Sequence, residues 1–231
     1  EHARDVLREA RRLDAAAAQL REGWEPELRL VVDGALPMAP LADAMRTFSV
    51  RQVPTRIRVD VEYQDGVPDR FFSEGAHIML VLELDAVPSG MLSRALTPLE
   101  MVLVVGATHP LAGQPRLPRK ELHRWMELVV KDSSPRFARV PRPSFLGSTN
   151  AIHLSDFHSK RLALLGGAGF GWIPRHLVAE DLAAGALVPV DLDTGGTWTY
   201  LPRLVTHDAG APGRAAQLLI DLLLAAFGEK A

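Results

Sequence analysis

The sequence contains no cysteine. That excludes disulfides, thiol nucleophiles and cysteine-based zinc or iron–sulfur sites, and it fits a cytoplasmic protein. It also has no apolar run near the ~20 residues that span a bilayer, and no signal peptide opens it. Charge of one sign is missing too. The formal net charge is −2, so no global basic field advertises nucleic-acid binding. There is no G-x-x-x-x-G-K-[ST] phosphate loop. Ser133-Ser134-Pro135-Arg136 is not the G-x-S-x-G turn of a serine hydrolase. What is present is an ordinary globular composition: 231 residues, 47% hydrophobic and 23% charged. That suffices for one large domain or two small ones. The first residue is Glu1 rather than Met, which suggests a piece of a longer protein.

Residues 2–22 read as one helix ended by Gly23 and Pro26. Val6, Ala10, Leu13, Ala17 and Leu20 form a heptad seam, suited either to packing on its own domain or to pairing two chains. Leu28–Val32 reads as a buried strand. Asp33-Gly34 is a turn, Pro37 opens a helix, and Leu41, Ala44, Met45 and Phe48 form its buried stripe. Ile57, Val59, Val61 and Tyr63 alternate as a strand. A short helix follows over Pro68–Phe72, closed at Gly75, and then the apolar strand His77–Leu84. This β-α-β-α-β order predicts a parallel sheet with right-handed crossovers. Leu99–Val105 is a further buried strand. Residues 116–142 are basic and broken, with a short strand in "MELVVK". Later segments read as a helix over 153–167 with Ser155 or Asp156 as N-cap, a strand in "GFGWIP", a helix over 175–185, and "ALVPVDL" leading out. "WTYLPRLVTH" reads as one last strand and 211–227 as a terminal helix.

The chemistry-bearing candidates are weak one by one. "GGAGFG" fails as a dinucleotide fingerprint, because Trp172 occupies the third glycine position and the order is helix, glycines, strand. Those glycines fit a helix end and a close approach to the sheet. His153, Asp156 and His158 have the wrong spacing for a metal site on one helical face. His109, between a strand and Pro110, has no local nucleophile or orienting partner for base catalysis. It reads as a structural connector. No cofactor, metal or catalytic residue is expected.

The ordered set of motifs resembles the effector-binding domain of LysR-type transcriptional regulators. "HPLA" at 109–112 follows an apolar strand. "LLGGAGFGWIPRHLVAEDLAAGALVPV" at 164–190 and "FSVRQVPTRIRVDVEYQDG" at 48–66 are similar to that family's second-lobe and first-lobe segments. The first helix is similar to its linker helix. One departure is Ile78, which stands where the family usually has an aspartate after Gly75 and so puts that corner of the first lobe in question.

The resemblance implies an α/β fold of two Rossmann-like lobes joined by two crossover strands, type 2 periplasmic-binding-protein-like, preceded by a linker helix. It implies a linker and dimerisation helix at 1–23, lobe I at 26–102 plus 208–231, lobe II at 107–203, and hinge strands near 103–106 and 204–207. The implied function is ligand sensing in a cytoplasmic homodimer or homotetramer. DNA would be bound only by a winged helix-turn-helix preceding Glu1. An extracytoplasmic solute-binding protein shares the fold and is the alternative. Ligands in such folds sit at the carboxyl ends of strands, near helix N-termini. Position therefore selects Asp33, Gly34, Ala35, Leu36, Asp65 and Glu83 in lobe I. In lobe II it selects Asp132, Ser133, Ser134, Phe145, Thr149, Asn150 and Phe170, with Trp198 and Tyr200 as an aromatic wall. An aromatic or other organic acid is the family-based expectation, with a hydroxylated neutral or a cationic ligand left open.

Overall fold

The computed structural model describes residues 22–84, 86–134, 146–208, 210 and 212–228, together with His2 and Val6. The expected helix at 1–23 lies almost wholly outside the described residues, and so does Phe145.

The first sheet starts from β1 (Glu27–Asp33), whose Leu28, Leu30, Val31 and Val32 are buried. Burial on both faces is what a central parallel strand requires. Helix α1 (Ala39–Val50) has proline in its first turn and turns Leu41, Ala44 and Phe48 inward. Strand β2 (Arg56–Glu62) pairs in parallel with β1. Helix α2 (Gly66–Glu74) ends at Gly75, whose φ of +62° is the left-handed stop that glycine adopts without penalty. Strand β3 (Ile78–Val81) then pairs in parallel on the other side of β1. Ile78 packs into the core. The strand is anchored at its entry by the neighbouring His77, whose Nδ1 accepts the Arg29 N–H at 3.0 Å. Strand β4 (Met91–Ala95) closes the five-stranded sheet, ordered β2-β1-β3-β11-β4 around β11 (Arg203–His207).

The second sheet is built from β5 (Leu99–Gly106), β6 (Glu127–Val130), β7 (Ala151–Leu154), β8 (Phe170–Pro174), β9 (Leu187–Pro189) and β10 (Thr197–Tyr200). Its order is β10-β5-β8-β6-β7, with β9 also on β5. Helix α3 (Phe157–Leu165) links β7 to β8, and α4 (Ala179–Ala183) precedes β9. The C-terminal helix α5 (Arg214–Phe227) returns to the first sheet's side and packs on α1. Its first turn is capped by the Glu25 carboxylate, which accepts the Ala215 and Ala216 N–H groups at 2.9 and 3.1 Å.

The chain changes sheets at Leu96-Thr97-Pro98 and again at Leu201-Pro202. Those are the crossings, not 103–106 and 204–207, which lie inside β5 and β11. Proline carries no N–H for a ladder, so pairing lapses at Pro98 and Pro202. The two crossings touch: the Leu96 N–H donates to the Pro202 carbonyl at 2.8 Å. The segment "WTYLPRLVTH" is accordingly two strands in two sheets. The helix expected over 175–185 divides into a 3-10 turn, Arg175–Leu177, and α4.

One apolar cluster runs through the waist, from Leu30, Leu80 and Leu219 to Leu99, Leu103, Phe170 and Trp172. Each sheet has a smaller cluster on its other face: Val31, Val67, Phe71 and Met79 in the first, and Val104, Leu128, Leu164 and Ile173 in the second. His109 is 7% exposed, accepts the Leu111 N–H at 3.2 Å and packs edge-on against Trp125. That is the connector role.

Candidate functional site

The lobes meet along a seam whose two ends differ. At the inner end the carboxyl ends of β1, β3 and β6 converge. Asp33 is 1% exposed, and its carboxylate accepts the Ala35 and Gln64 N–H groups, both at 2.9 Å. It thereby ties the turn after β1 to the turn after β2. Helix α2 has no side-chain cap from its own N-cap residue, Asp65. Asp132 of the other lobe supplies one: its carboxylate accepts from Gly66 N–H at 3.2 Å, Asp65 N–H at 3.4 Å and Ser134 N–H at 2.8 Å. The Ser133 hydroxyl accepts the Tyr63 N–H at 2.9 Å, and Gln64 Nε2 donates to the Val130 carbonyl at 3.1 Å. The contact is tight because residue 66 is glycine; an added Cβ would fall 1.9 Å from Ser133 Oγ. Between Asp33, Gln64, Leu82, Glu83 and Tyr200 lies a cavity of about 10 Å³.

At the outer end the lobes touch through Tyr63 and Phe157 and leave open space beside them. A groove of about 620 Å³ opens between Gly34, Met38, Val61 and Tyr63 on one side and Phe157, His158, Arg161 and His176 on the other. That volume is in the range of small-molecule sites. Tyr63 and Phe157 face each other across it edge to face, with centroids 5.8 Å apart at 64°. Burial, with Asp156 and Asp33 nearby, pushes the Tyr63 phenol upward, so it stays a neutral donor. Arg161 is held in a two-point pair with Asp181 at 2.5 and 2.6 Å, and that bond raises its pKa further. Asp156 caps α3, accepting from Ser159 N–H at 2.7 Å and Ser159 Oγ at 2.9 Å. These bonds hold its carboxyl below the usual range.

The expected site residues separate accordingly. Asp33, Asp65, Glu83, Asp132, Ser133 and Tyr200 gather at the inner end, with Ser134 buried behind them. Gly34 lines the outer groove. Ala35, Leu36 and Phe170 are core side chains, 0%, 2% and 0% exposed, and offer no surface to a ligand. Thr149 and Asn150 are exposed ahead of β7. Trp198 is 39% exposed on β10 and stands edge-on to Tyr200, 6.4 Å away. The second-lobe face of the groove was missed because it lies along a helix and a 3-10 turn rather than in loops after strands. One signal was available: Lys160 stands four residues before Leu164, in the buried stripe of α3, where a lysine is out of place.

Two α/β sheets, joined by two crossings with a groove between them, define a two-lobed binding domain of the type 2 periplasmic-binding-protein class. The chain belongs to the LysR substrate binding domain family, which matches residues 21–228. It is 32% identical over 192 residues to the uncharacterized HTH-type transcriptional regulator YeeY of Escherichia coli K12, covering 81% of this chain and 61% of that protein. The probable HTH-type transcriptional regulator YhaJ of the same organism is 28% identical over 193 residues, covering 81% and 63%. The chain thus spans little more than three fifths of the length of these relatives. Among solved structures it is similar to the Synechocystis PCC6803 CcmR regulatory domain in complex with 2-PG, with a TM-score of 0.68 and 15% identity, covering 88% of this chain and 98% of that one. It is also similar to the effector binding domain of QuiR in complex with shikimate, with a TM-score of 0.65 and 12% identity, covering 87% and 96%. Among the described residues no helix is long and apolar enough to cross a membrane, and no group of three or more His, Asp or Glu could hold a metal ion.

Proposed function

We propose that the chain is the sensing part of a cytoplasmic LysR-type regulator. A small organic effector binds in the outer groove, changes the angle between the lobes, and through oligomer geometry biases DNA binding by a winged helix-turn-helix elsewhere in the longer protein. The observation that carries this reading is the groove itself, lined from both lobes. A molecule seated there touches both halves, so its affinity differs between lobe arrangements, as any transmitted signal requires. The family match and the regulators among its relatives support it; nothing among them favours a transport protein. The CcmR and QuiR domains, whose structures contain 2-PG and shikimate, add support from the same fold. The role calls for binding and not turnover.

A thermal-shift screen of small organic acids and neutral metabolites tests the reading, because a ligand of the folded state raises Tm by mass action. A binder is expected whose effect disappears when Gly34→Val fills the groove from the first lobe. A binder indifferent to that change would move the site elsewhere.

A further inference from the structure

Lys160 has no role in the fold that accounts for its charge. It is 3% exposed, in the first turns of α3, and is the one buried lysine or arginine among the described residues. Its chain lies over Gly171 of β8. A Cβ there would fall 2.8 Å from Lys160 Cε and 3.2 Å from Nζ, so glycine at 171 makes the space that the lysine fills. Among the described residues no hydrogen bond or ion pair reaches Nζ; the buried Glu127 carboxylate favours its charged form without bonding to it. Glu127 spends its carboxylate on the Leu146 and Ser148 N–H groups, at 2.6 and 3.2 Å. Lys160 itself is not among the residues that line the groove. What stands beside it is the Phe157 ring, with its centroid 5.8 Å from Nζ, and Phe157 lines the groove.

Two of the other charges of the groove are already committed, and the third, Glu180, is a carboxylate. Arg161 is paired to Asp181, and Asp156 caps its own helix. An incoming anion would gain little from either. We infer that Lys160 is the specificity-determining cation of the groove: it takes the carboxylate of an organic-acid effector when Phe157 turns aside. This rests on the groove being the effector site. A desolvated ammonium with no carboxylate bonded to it is strained in the empty protein and satisfied by an anion. It thus supplies the preference between carboxylate and neutral isostere that the remaining groove residues lack. Burial brings its pKa down from 10.5 to about 7, in keeping with a cation waiting for a counter-charge.

The test uses pairs of carboxylates and their primary amides, benzoate with benzamide first, in thermal-shift and calorimetric titrations of the full 231-residue chain and of Lys160→Met. Methionine keeps the buried chain length and drops the charge. At least one acid is expected to raise Tm in the parent protein while its amide does not, and Lys160→Met should weaken that acid about ten- to a hundredfold, the range of a lost charge-assisted hydrogen bond. If amides bind as well as acids, or Lys160→Met keeps the acid's affinity, the inference falls while the groove reading stands. If no panel member shifts the parent protein, both fall. Should the methionine variant fail to fold, Lys160→Gln decides on the same criteria.

Discussion

The two ends of the interlobe seam are made from similar polar residues and end in opposite states. At the inner end three groups have found partners across the seam: Asp132 caps α2, Ser133 bonds Tyr63, and Gln64 reaches Val130, while Asp33 bonds within its own lobe. The cavity between Asp33, Glu83 and Tyr200 there is about 10 Å³. At the outer end the partners are local, Asp156 with Ser159 and Arg161 with Asp181, and about 620 Å³ stays open. Asp132 bonds across the seam at the inner end, whereas Asp156 and Asp181 bond within the second lobe beside the groove.

The largest effect should come from the outer end's buried cation. Lys160 has a folded pKa below its unfolded one. Between about pH 7 and 10.5 the unfolded chain therefore binds more protons, and stability rises with pH through that window. Below it the full penalty applies, on the order of 3–5 kcal/mol for a drop of this size. Lys160→Met should be the more stable protein at pH 6, with its advantage fading toward pH 10. Denaturant melts of both across pH would show a constant gap if Lys160 were not desolvated. Next, Asp132→Ala should cost about 1–3 kcal/mol, since it leaves the N–H groups of Asp65, Gly66 and Ser134 without their acceptor. Hydrogen exchange at those three amides should rise, whereas α3 amides should not change. A uniform rise would mean that the seam is not an independent latch.

Gly34→Ala probes the boundary between the two ends. Its Cβ would sit 2.4 Å from the Tyr63 ring, so Tyr63 must move at a cost of about 1–3 kcal/mol, typical of overpacking. Double-mutant analysis with Tyr63→Ala should recover most of that loss. The smallest effect concerns His109, whose burial lowers its pKa. Its contribution is present above pH 6.5 and is lost as pH falls below that. His109→Asn, which keeps an acceptor for Leu111 N–H, should differ from the parent by under about 1 kcal/mol at pH 7, and the difference should shrink toward pH 5.

Much of the architecture was legible in the sequence, and for local reasons. Continuous apolar runs mark β1 and β5, Gly75 marks the end of α2, and Asp156 marks the start of α3. The crossings were misplaced because the longest apolar stretch drew attention to the middle of β5, while the switch falls at prolines beside it. Strand β4 went unread because "MLSRA" alternates too briefly, and β7 because Ile152 and His153 are exposed. The inner-end residues were found by a positional rule about strand ends. The outer groove was not, since Tyr63, Phe157, Arg161 and His176 become neighbours only once the lobes are set against each other. No local pattern encodes that angle.

The contact between Leu96 and Pro202 has a mechanical result. Two spans lying side by side and bonded to each other act as a single leaf spring. Such a joint resists sliding of the halves more than it resists rocking. If the groove is the sensing site proposed above, its output is a tilt, and a molecule that filled the groove without tilting it would go unheard.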